Sequence, residues 1–85
     1  MREKNKITQK VRPLYEIAKD ISEHWKPIHE YAQQHVAAFA ELDSINDIFI
    51  TESGKDIILG FLCNAGTWRG EHARRIKTEL KEMIK

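Results

Sequence analysis

Residues 7–25, ITQKVRPLYEIAKDISEHW, carry the strongest pattern in the chain. Apolar side chains recur there at spacings of three and four residues, namely Ile7, Val11, Leu14, Ala18, Ile21 and Trp25. This spacing places all six on one stripe of an α-helix, and such a stripe is usually buried against other elements. The stretch therefore predicts a helical protein whose first helix packs on a core.

Two prolines set the expected ends of this helix. A proline is favourable at the first helical position, whereas inside a helix it removes a hydrogen bond and clashes with the preceding turn. We therefore expect the first helix to begin at Pro13 and end near Trp25, with Pro27 opening a second helix. Residues 1–12 are then a basic N-terminal arm, either disordered or a helical extension that meets the first helix at a kink. Residues 13–85 form one helical domain.

A second stripe of helical period predicts a helix from Pro27 to about Leu42, and its members are Ile28, Tyr31, Ala32, His35, Val36, Phe39 and Leu42. Ser44 and Asp47 then have capping-box spacing, which predicts a short third element ending near Phe49. Ser53 is followed three residues later by Asp56 and predicts another helix cap.

Residues 57–65, IILGFLCNA, contain seven apolar residues in nine, which is typical of a central helix and predicts a buried Cys63. Gly66 suits a left-handed C-terminal stop, and Thr67 suits the cap of a final helix. The inner face of that helix is predicted from Ala73, Ile76, Leu80 and either Met83 or Ile84.

These patterns predict an all-α fold, a small single-domain bundle of about four helices. One alternative stays open, because residues 48–59, IFITESGKDIIL, also suit two short strands joined by a turn around Ser53 and Gly54. That hairpin would make the fold α+β. Short apolar runs do not distinguish a helix from a strand by pattern alone.

The composition limits the class of protein. A chain of 85 residues with 41% hydrophobic and 32% charged residues is typical of a globular domain and excludes disordered and fibrous classes. No apolar run approaches the roughly 18 to 20 residues that span a bilayer, and the first residues lack the apolar core of a signal peptide. We therefore expect a cytoplasmic protein without membrane association. A single cysteine fits a reducing compartment.

The net charge of +1 is distributed unevenly. Residues 1–12 carry five basic residues and one acidic residue, and residues 69–85 carry six basic and three acidic. Residues 27–68, by contrast, carry six acidic residues and one basic. The basic ends are therefore expected to contact a polyanion, the acidic middle of the same chain, or a second copy.

Spacing tests find no catalytic, metal or cofactor site. His24, His29 and His35 are separated by five and six residues, which places neighbouring histidines on different faces of a helix. The SGKD segment lacks the first glycine and the final Ser or Thr of a phosphate-binding loop. Cys63, with His72 or His35 as a conceivable base, has apolar sequence neighbours that favour an inert thiol. We expect a protein that is not an enzyme.

The candidate site lies in residues 60–75, GFLCNAGTWRGEHARR. Trp68 stands between Gly66 and Gly70 and is predicted to plug the corner between the central and last helices. Glu71, four residues before Arg75, predicts an ion pair typical of a solvated helix.

Basic residues follow the same corner, and the candidates for interaction or nucleic-acid contact are Trp68, Arg69, Arg74, Lys77, Lys81 and Lys85. The last four lie at i, i+3, i+7 and i+11 and predict a basic stripe opposite Ile76 and Leu80. Such a stripe can follow a phosphate backbone.

Two functional hypotheses result. The first is a small non-catalytic helical module for protein interaction or self-association, because short domains often complete their core by associating. Its partner is another protein or a second copy. The alternative is a nucleic-acid-binding protein that uses residues 1–12 and the basic face of the last helix. The pI of about 7.9 is lower than the value above about 9 that is usual for such proteins.

Overall fold

The computed structural model describes residues 11–85, which form four helices and one short hairpin. In chain order the elements are α1 (Leu14–His24), α2 (Glu30–Phe39), β1 (Ile48–Phe49), β2 (Glu52–Ser53), α3 (Gly54–Asn64) and α4 (Glu71–Met83). The predicted bundle of about four helices is confirmed, and it includes a small hairpin within the range of the α+β alternative. Residues 1–10, and with them most of the predicted basic arm and Ile7 of the first stripe, lie outside the described residues.

Helix α1 begins where Pro13 predicts, with Pro13 as its cap residue at φ −65°. The backbone N–H groups of Leu14 and Tyr15 donate to the carbonyls of Asp43 and Leu42, both at 2.9 Å. The turn after α2 therefore supplies acceptors for donors that a helix N-terminus leaves unpaired.

The predicted stripe of α1 is buried at Leu14, Ala18 and Ile21, and Trp25 at the end of the helix is partly buried. Ile17, which the stripe omitted, is also fully buried. Val11 is exposed instead, because it precedes the helix.

Helix α2 begins at Glu30, three residues later than Pro27. The chain is extended at His29, whose Nδ1 accepts the backbone N–H of Tyr31 at 3.2 Å and so caps the helix. The helix packs mainly against α3. At their contact a Cβ on Gly60 would lie 2.5 Å from Nε2 of His35, so the absence of a side chain lets the two helices approach.

The predicted third element is a hairpin rather than a helix. The carboxylate of Asp47 accepts the backbone N–H groups of Asp43 and Ser44 at 2.9 and 3.2 Å, and these bonds hold the pKa of Asp47 below its ordinary value. The two strands then pair antiparallel, with Ile48 opposite Ser53. The capping residues thus form a turn that leads into a strand.

The hairpin turns at residues 50–51, not at Ser53 and Gly54 as the α+β alternative placed it. The second proposed strand is instead the start of α3. Ser53 Oγ accepts the backbone N–H of Asp56 at 3.2 Å, so the predicted cap at Ser53 is confirmed.

Helix α3 buries Ile57, Ile58 and Phe61, but the prediction of a buried Cys63 is wrong. Cys63 and Leu59 are exposed because the other described elements cover only one side of the helix. The apolar residues of the segment 57–65 therefore predict more burial than α3 has in the structure.

The corner between α3 and α4 spans residues 65–70. Helix α3 ends at Asn64, within the predicted stop at residues 64–66, but the left-handed conformation predicted for Gly66 is wrong, because within residues 11–85 the glycine with a positive φ, of 109°, is Gly70, which precedes α4 directly. Gly70, not Thr67, is therefore the cap residue of α4. Asn64 Nδ2 donates to the Gly60 carbonyl at 2.9 Å and satisfies one acceptor at the end of α3 without a left-handed residue.

Trp68 closes the core at this corner. It is only 5% exposed, and its ring stacks on that of Trp25 with centroids 5.1 Å apart and planes within 2°. Trp25 in turn meets Phe61 edge to face at 6.3 Å. The prediction that Trp68 plugs the corner is confirmed, and the stack joins the end of α1 to the α3–α4 corner.

The predicted inner face of α4 is also confirmed, since Ala73, Ile76 and Leu80 are buried. Every helix within residues 11–85 is too short or too polar to traverse a lipid bilayer.

Candidate functional site

A cavity of about 310 Å³ opens at the α3–α4 corner, and we call it the corner cavity. Its lining residues are Gly66, Trp68, Arg69, Gly70, Ala73, Arg74 and Lys77. Trp68 and Ala73 are buried and form its apolar side, whereas Arg69 and Arg74 are exposed. The structure therefore brings four of the six predicted site residues to one cavity.

Lys77 is held within this corner rather than projecting into solvent. Its Nζ donates to the backbone carbonyl of Trp68 at 2.7 Å. Partial burial lowers the pKa of Lys77, and the nearby positive charges of Lys81 and Arg69 lower it further. Lys77 thus ties α4 to the corner, whereas Arg69, Arg74 and Lys81 are exposed to solvent.

Lys85 lies beyond the last residue of α4, so the helical register does not extend the basic stripe to it. Its Nζ pairs with Glu82 at 3.2 Å on the exposed surface. Such exposed pairs contribute little to stability. Lys85 is therefore separate from the cluster at the corner.

A second charged cluster, which the sequence did not predict, joins α1 to α4. Arg75 donates to the carboxylate of Asp20 at 2.9 and 3.2 Å, so the predicted pairing of Arg75 with Glu71 is wrong. The guanidinium of Arg12 contacts two carboxylates, that of Asp20 at 3.2 Å and that of Glu79 at 2.6 Å. Bidentate guanidinium contacts are stronger than the exposed helical pair that the sequence suggested.

The two guanidinium groups lower the pKa of Asp20 to about 2, with the hydrogen bonds from Arg75 as the main cause and those from Arg12 as a further one. The side chain of Asp20 is only 14% exposed, whereas that of Arg75 is 44% exposed, so the ion pair lies at the protein surface with the carboxylate as its more buried partner. The cluster fixes how α1 lies on α4. No local spacing rule predicts it, because Asp20 and Arg75 are 55 residues apart.

Two histidines stack beside this cluster, with ring centroids of His24 and His72 3.7 Å apart. His24 Nδ1 lies 3.0 Å from Asp20 Oδ1, and because an ionised carboxylate only accepts, this nitrogen carries the proton. Arg75 Nη2 lies 3.0 Å from His72 Nδ1, and because a guanidinium only donates, this ring nitrogen is the acceptor.

Asp20, Glu23 and His24 place one potential ligand atom each within 4.8 Å of one another. The oxygens of Asp20 already accept hydrogen bonds from Arg12 and Arg75. Two guanidinium charges at this carboxylate oppose a bound cation, and we assign no metal to the group.

The tip of the hairpin is unusual in two ways. Ile50 is 83% exposed and has φ 61°, a left-handed conformation that is strained for a β-branched residue. Ile48 on the same hairpin is 60% exposed. Behind the tip lies a groove of about 420 Å³, the hairpin groove, lined by Gln34, His35, Ala38, Phe49, Ile50, Thr51, Glu52 and Ile57.

Sequence reasoning missed Ile50, although a signal was present. A positive φ at only the first central residue of a two-residue turn is the pattern of a type II′ hairpin, where glycine is the usual residue. Ile and Thr between two short strands therefore make a poor turn by local chemistry. The signal in the sequence was this pair of β-branched residues at the two central positions of the turn.

Cys63 is exposed and borders a cavity of about 330 Å³ together with His29 and Tyr31. The two histidines proposed from the sequence as bases lie elsewhere, since His35 faces Gly60 and His72 stacks in the α1–α4 cluster. The thiol is thus not paired with the bases that the sequence suggested.

No protein-family description, curated protein or solved structure matches this chain. The surfaces above are therefore the basis for assigning a function.

Proposed function

We propose that this protein is a small non-catalytic helical module for protein interaction or self-association that docks on its protein partner through the tip of its hairpin. The observation that carries the proposal is Ile50, an apolar side chain that is 83% exposed on a left-handed backbone. A strained backbone costs on the order of 1–3 kcal/mol, and an exposed side chain returns little of this by burial. Strain of this kind is concentrated at functional sites.

The surroundings of Ile50 support a docking role. The exposed side chain of Ile48 adds apolar area on the same hairpin. The hairpin groove offers a concave surface of about 420 Å³ beside this convex tip. A two-stranded hairpin also has outer edges whose backbone groups can pair with a strand of a partner.

The test uses the protein as bait in the cells that produce it, with covalent crosslinking and quantitative mass spectrometry. Wild type is compared with Ile50→Gly, which removes the side chain and suits the turn. Val11→Gly is the matched control, because it removes an exposed apolar side chain outside the hairpin, at a cavity lined by Glu79, Glu82 and Met83. We expect a partner enriched on wild type and on the Val11 variant and lost on the Ile50 variant. Equal capture by all three baits would refute docking through the tip.

A second candidate function is nucleic-acid binding at the corner. It is favoured by Arg69, Arg74 and Lys81, three exposed cations that form no ion pair with another side chain of residues 11–85. Cations of this kind can neutralise phosphates, and their contribution falls steeply with salt.

Fluorescence anisotropy with labelled duplex DNA and single-stranded RNA tests this candidate at low and physiological salt. Arg74→Glu with Lys81→Glu should abolish binding, whereas the charge-matched control Lys19→Glu with Lys55→Glu should retain most of it. Absence of binding at low salt, or equal loss in both double variants, would exclude a site at the corner.

A further inference from the structure

We infer that the chain associates head to tail, with Ile50 of one copy entering the corner cavity of the next. The inference rests on the proposed function, because it keeps the hairpin tip as the contact surface and identifies its partner as a second copy of this chain. It uses two features that the monomer leaves unmatched, an apolar projection and a cavity.

The two features lie at opposite ends of α3. The hairpin leads directly into the first residue of this helix, and the corner cavity begins just after its last residue. An 11-residue helix is about 16 Å long at 1.5 Å per residue. Ile50 therefore cannot fill the cavity of its own chain, whereas the tip of a second copy can approach it from solvent.

Their chemistry is complementary. The cavity of about 310 Å³ has Trp68 and Ala73 on its apolar side, so it suits an aliphatic side chain such as that of Ile50. A water molecule occupies only about 30 Å³, so the cavity has room for a larger group. Burial of the exposed Ile50 side chain would favour the contact through the hydrophobic effect.

The charges around the two features have opposite signs. Glu52 follows the hairpin tip and forms no ion pair with another side chain in the described part of the chain. Arg69 and Arg74 border the cavity. More broadly, the tip belongs to the acidic residues 27–68 and the corner borders the basic residues 69–85. A second copy therefore brings the carboxylate of Glu52 towards the two arginines at the cavity, which favours this pairing over contact between like charges.

A contact between two different surfaces leaves one tip and one cavity unfilled in a dimer. Each added copy leaves one tip and one cavity available, so the assembly grows into a ring or an open chain. A hairpin tip buries much less than the roughly 1,200 Å² typical of a stable interface, so the association should be weak and concentration-dependent. Salt should weaken it further by screening the charges at the rim.

Sedimentation at low salt, over a range from ~10 μM to ~1 mM that suits a weak complex, measures the association. We expect the average mass to rise above the monomer mass of 10.0 kDa with concentration and to fall when salt is added. Two variants should remain monomeric. Ile50→Gly lacks the projecting side chain, and the double variant Arg69→Glu with Arg74→Glu has an acidic cavity rim. Circular dichroism verifies that both variants are folded.

Mixing the two variants tests the geometry. The Ile50 variant keeps an intact cavity and the arginine variant keeps an intact tip, so the mixture can make one head-to-tail contact. We expect a one-to-one heterodimer that does not grow further. A mixture that stays monomeric while wild type associates would overturn the head-to-tail arrangement.

A wild-type protein that is monomeric throughout the range, or one whose association survives Ile50→Gly, would overturn the inference. Failure here is distinguishable from failure of the proposed function. A monomeric wild type that still loses its crosslinked partner on Ile50→Gly would refute the self-association alone.

Discussion

Replacing Ile50 with glycine should make the protein more stable, although it deletes an apolar side chain. The left-handed conformation at φ 61° costs a residue with a Cβ about 1–2 kcal/mol, and glycine adopts it without that cost. Glycine also makes the unfolded chain more flexible, which opposes folding by about 0.5–1 kcal/mol. Little burial is lost, because the side chain is 83% exposed. The net expectation is a gain of about 0.5–1 kcal/mol in the free energy of unfolding.

In a domain of this size the gain corresponds to a rise of about 2–8 °C in Tm, since 1 kcal/mol shifts Tm by about 4–8 °C. Thermal unfolding followed by circular dichroism measures it. The matched control is Ile48→Gly on the same hairpin, where the backbone φ is negative and the side chain is 60% exposed. Glycine there relieves no strain, so Tm should fall.

The two substitutions should therefore shift Tm in opposite directions although they lie two residues apart. A fall in Tm for both would mean that the turn at Ile50 is not strained. Backbone strain at Ile50 would then no longer support a docking role for the hairpin tip. A rise for Ile50→Gly together with a lost partner would show that the protein gives up stability to keep this side chain.

Three further substitutions test the core, the α1–α4 cluster and the start of α3. Trp68→Ala should lower the free energy of unfolding by about 3–5 kcal/mol and remove the near-ultraviolet circular dichroism of the tryptophan stack; a loss below about 1 kcal/mol in urea titration would contradict its role as the plug of the corner. The pKa of Asp20 is lowered to about 2 in the folded protein. The ionised carboxylate therefore contributes its full stabilisation above a pH of about 5, and this stabilisation is lost as the pH falls through 2. Asp20→Asn should therefore lower stability at pH 7 by on the order of 1 kcal/mol, because solvent at the partly exposed Arg75 screens the ion pair, and should flatten the pH dependence between about 5 and 2. A variant with an unchanged acid profile would count against the cluster. A Cβ on Gly54 would lie 2.8 Å from the backbone of Ser44 and Ile45, so Gly54→Ala should lower Tm, whereas Gly66→Ala, with open space around it, should leave Tm nearly unchanged in the same melts.

The local elements could be predicted because their causes are local. Pro13 and Ser53 mark helix starts through their own dihedral angle or hydroxyl group, and both lie at helix starts in the structure. The buried faces of α1 and α4 follow from the 3.6-residue period of the helix. Trp68 could be placed at the corner because a large apolar ring between two glycines has few other positions in so small a core.

Two of the predictions that failed concern contacts between distant segments. Arg75 pairs with Asp20 on α1 rather than with Glu71 on its own helix, because the packing of α1 on α4 brings a more shielded carboxylate within reach. Cys63 is exposed because the other helices cover only one side of α3. The pattern of apolar residues in a single segment gives its apolar content, but it does not determine how many other elements pack against that segment.

The sequence alone determined that this is a small helical bundle with basic and acidic regions of opposite sign, because period, prolines and charge act over a few residues. Only the tertiary structure decided where those regions face. It placed an isoleucine on a strained turn before α3 and a basic-rimmed cavity after it, because the direction in which α3 runs from the hairpin to the corner is set by its packing against α2. The candidate function depends on that placement, since an exposed projection and a complementary cavity exist only once the helices are packed.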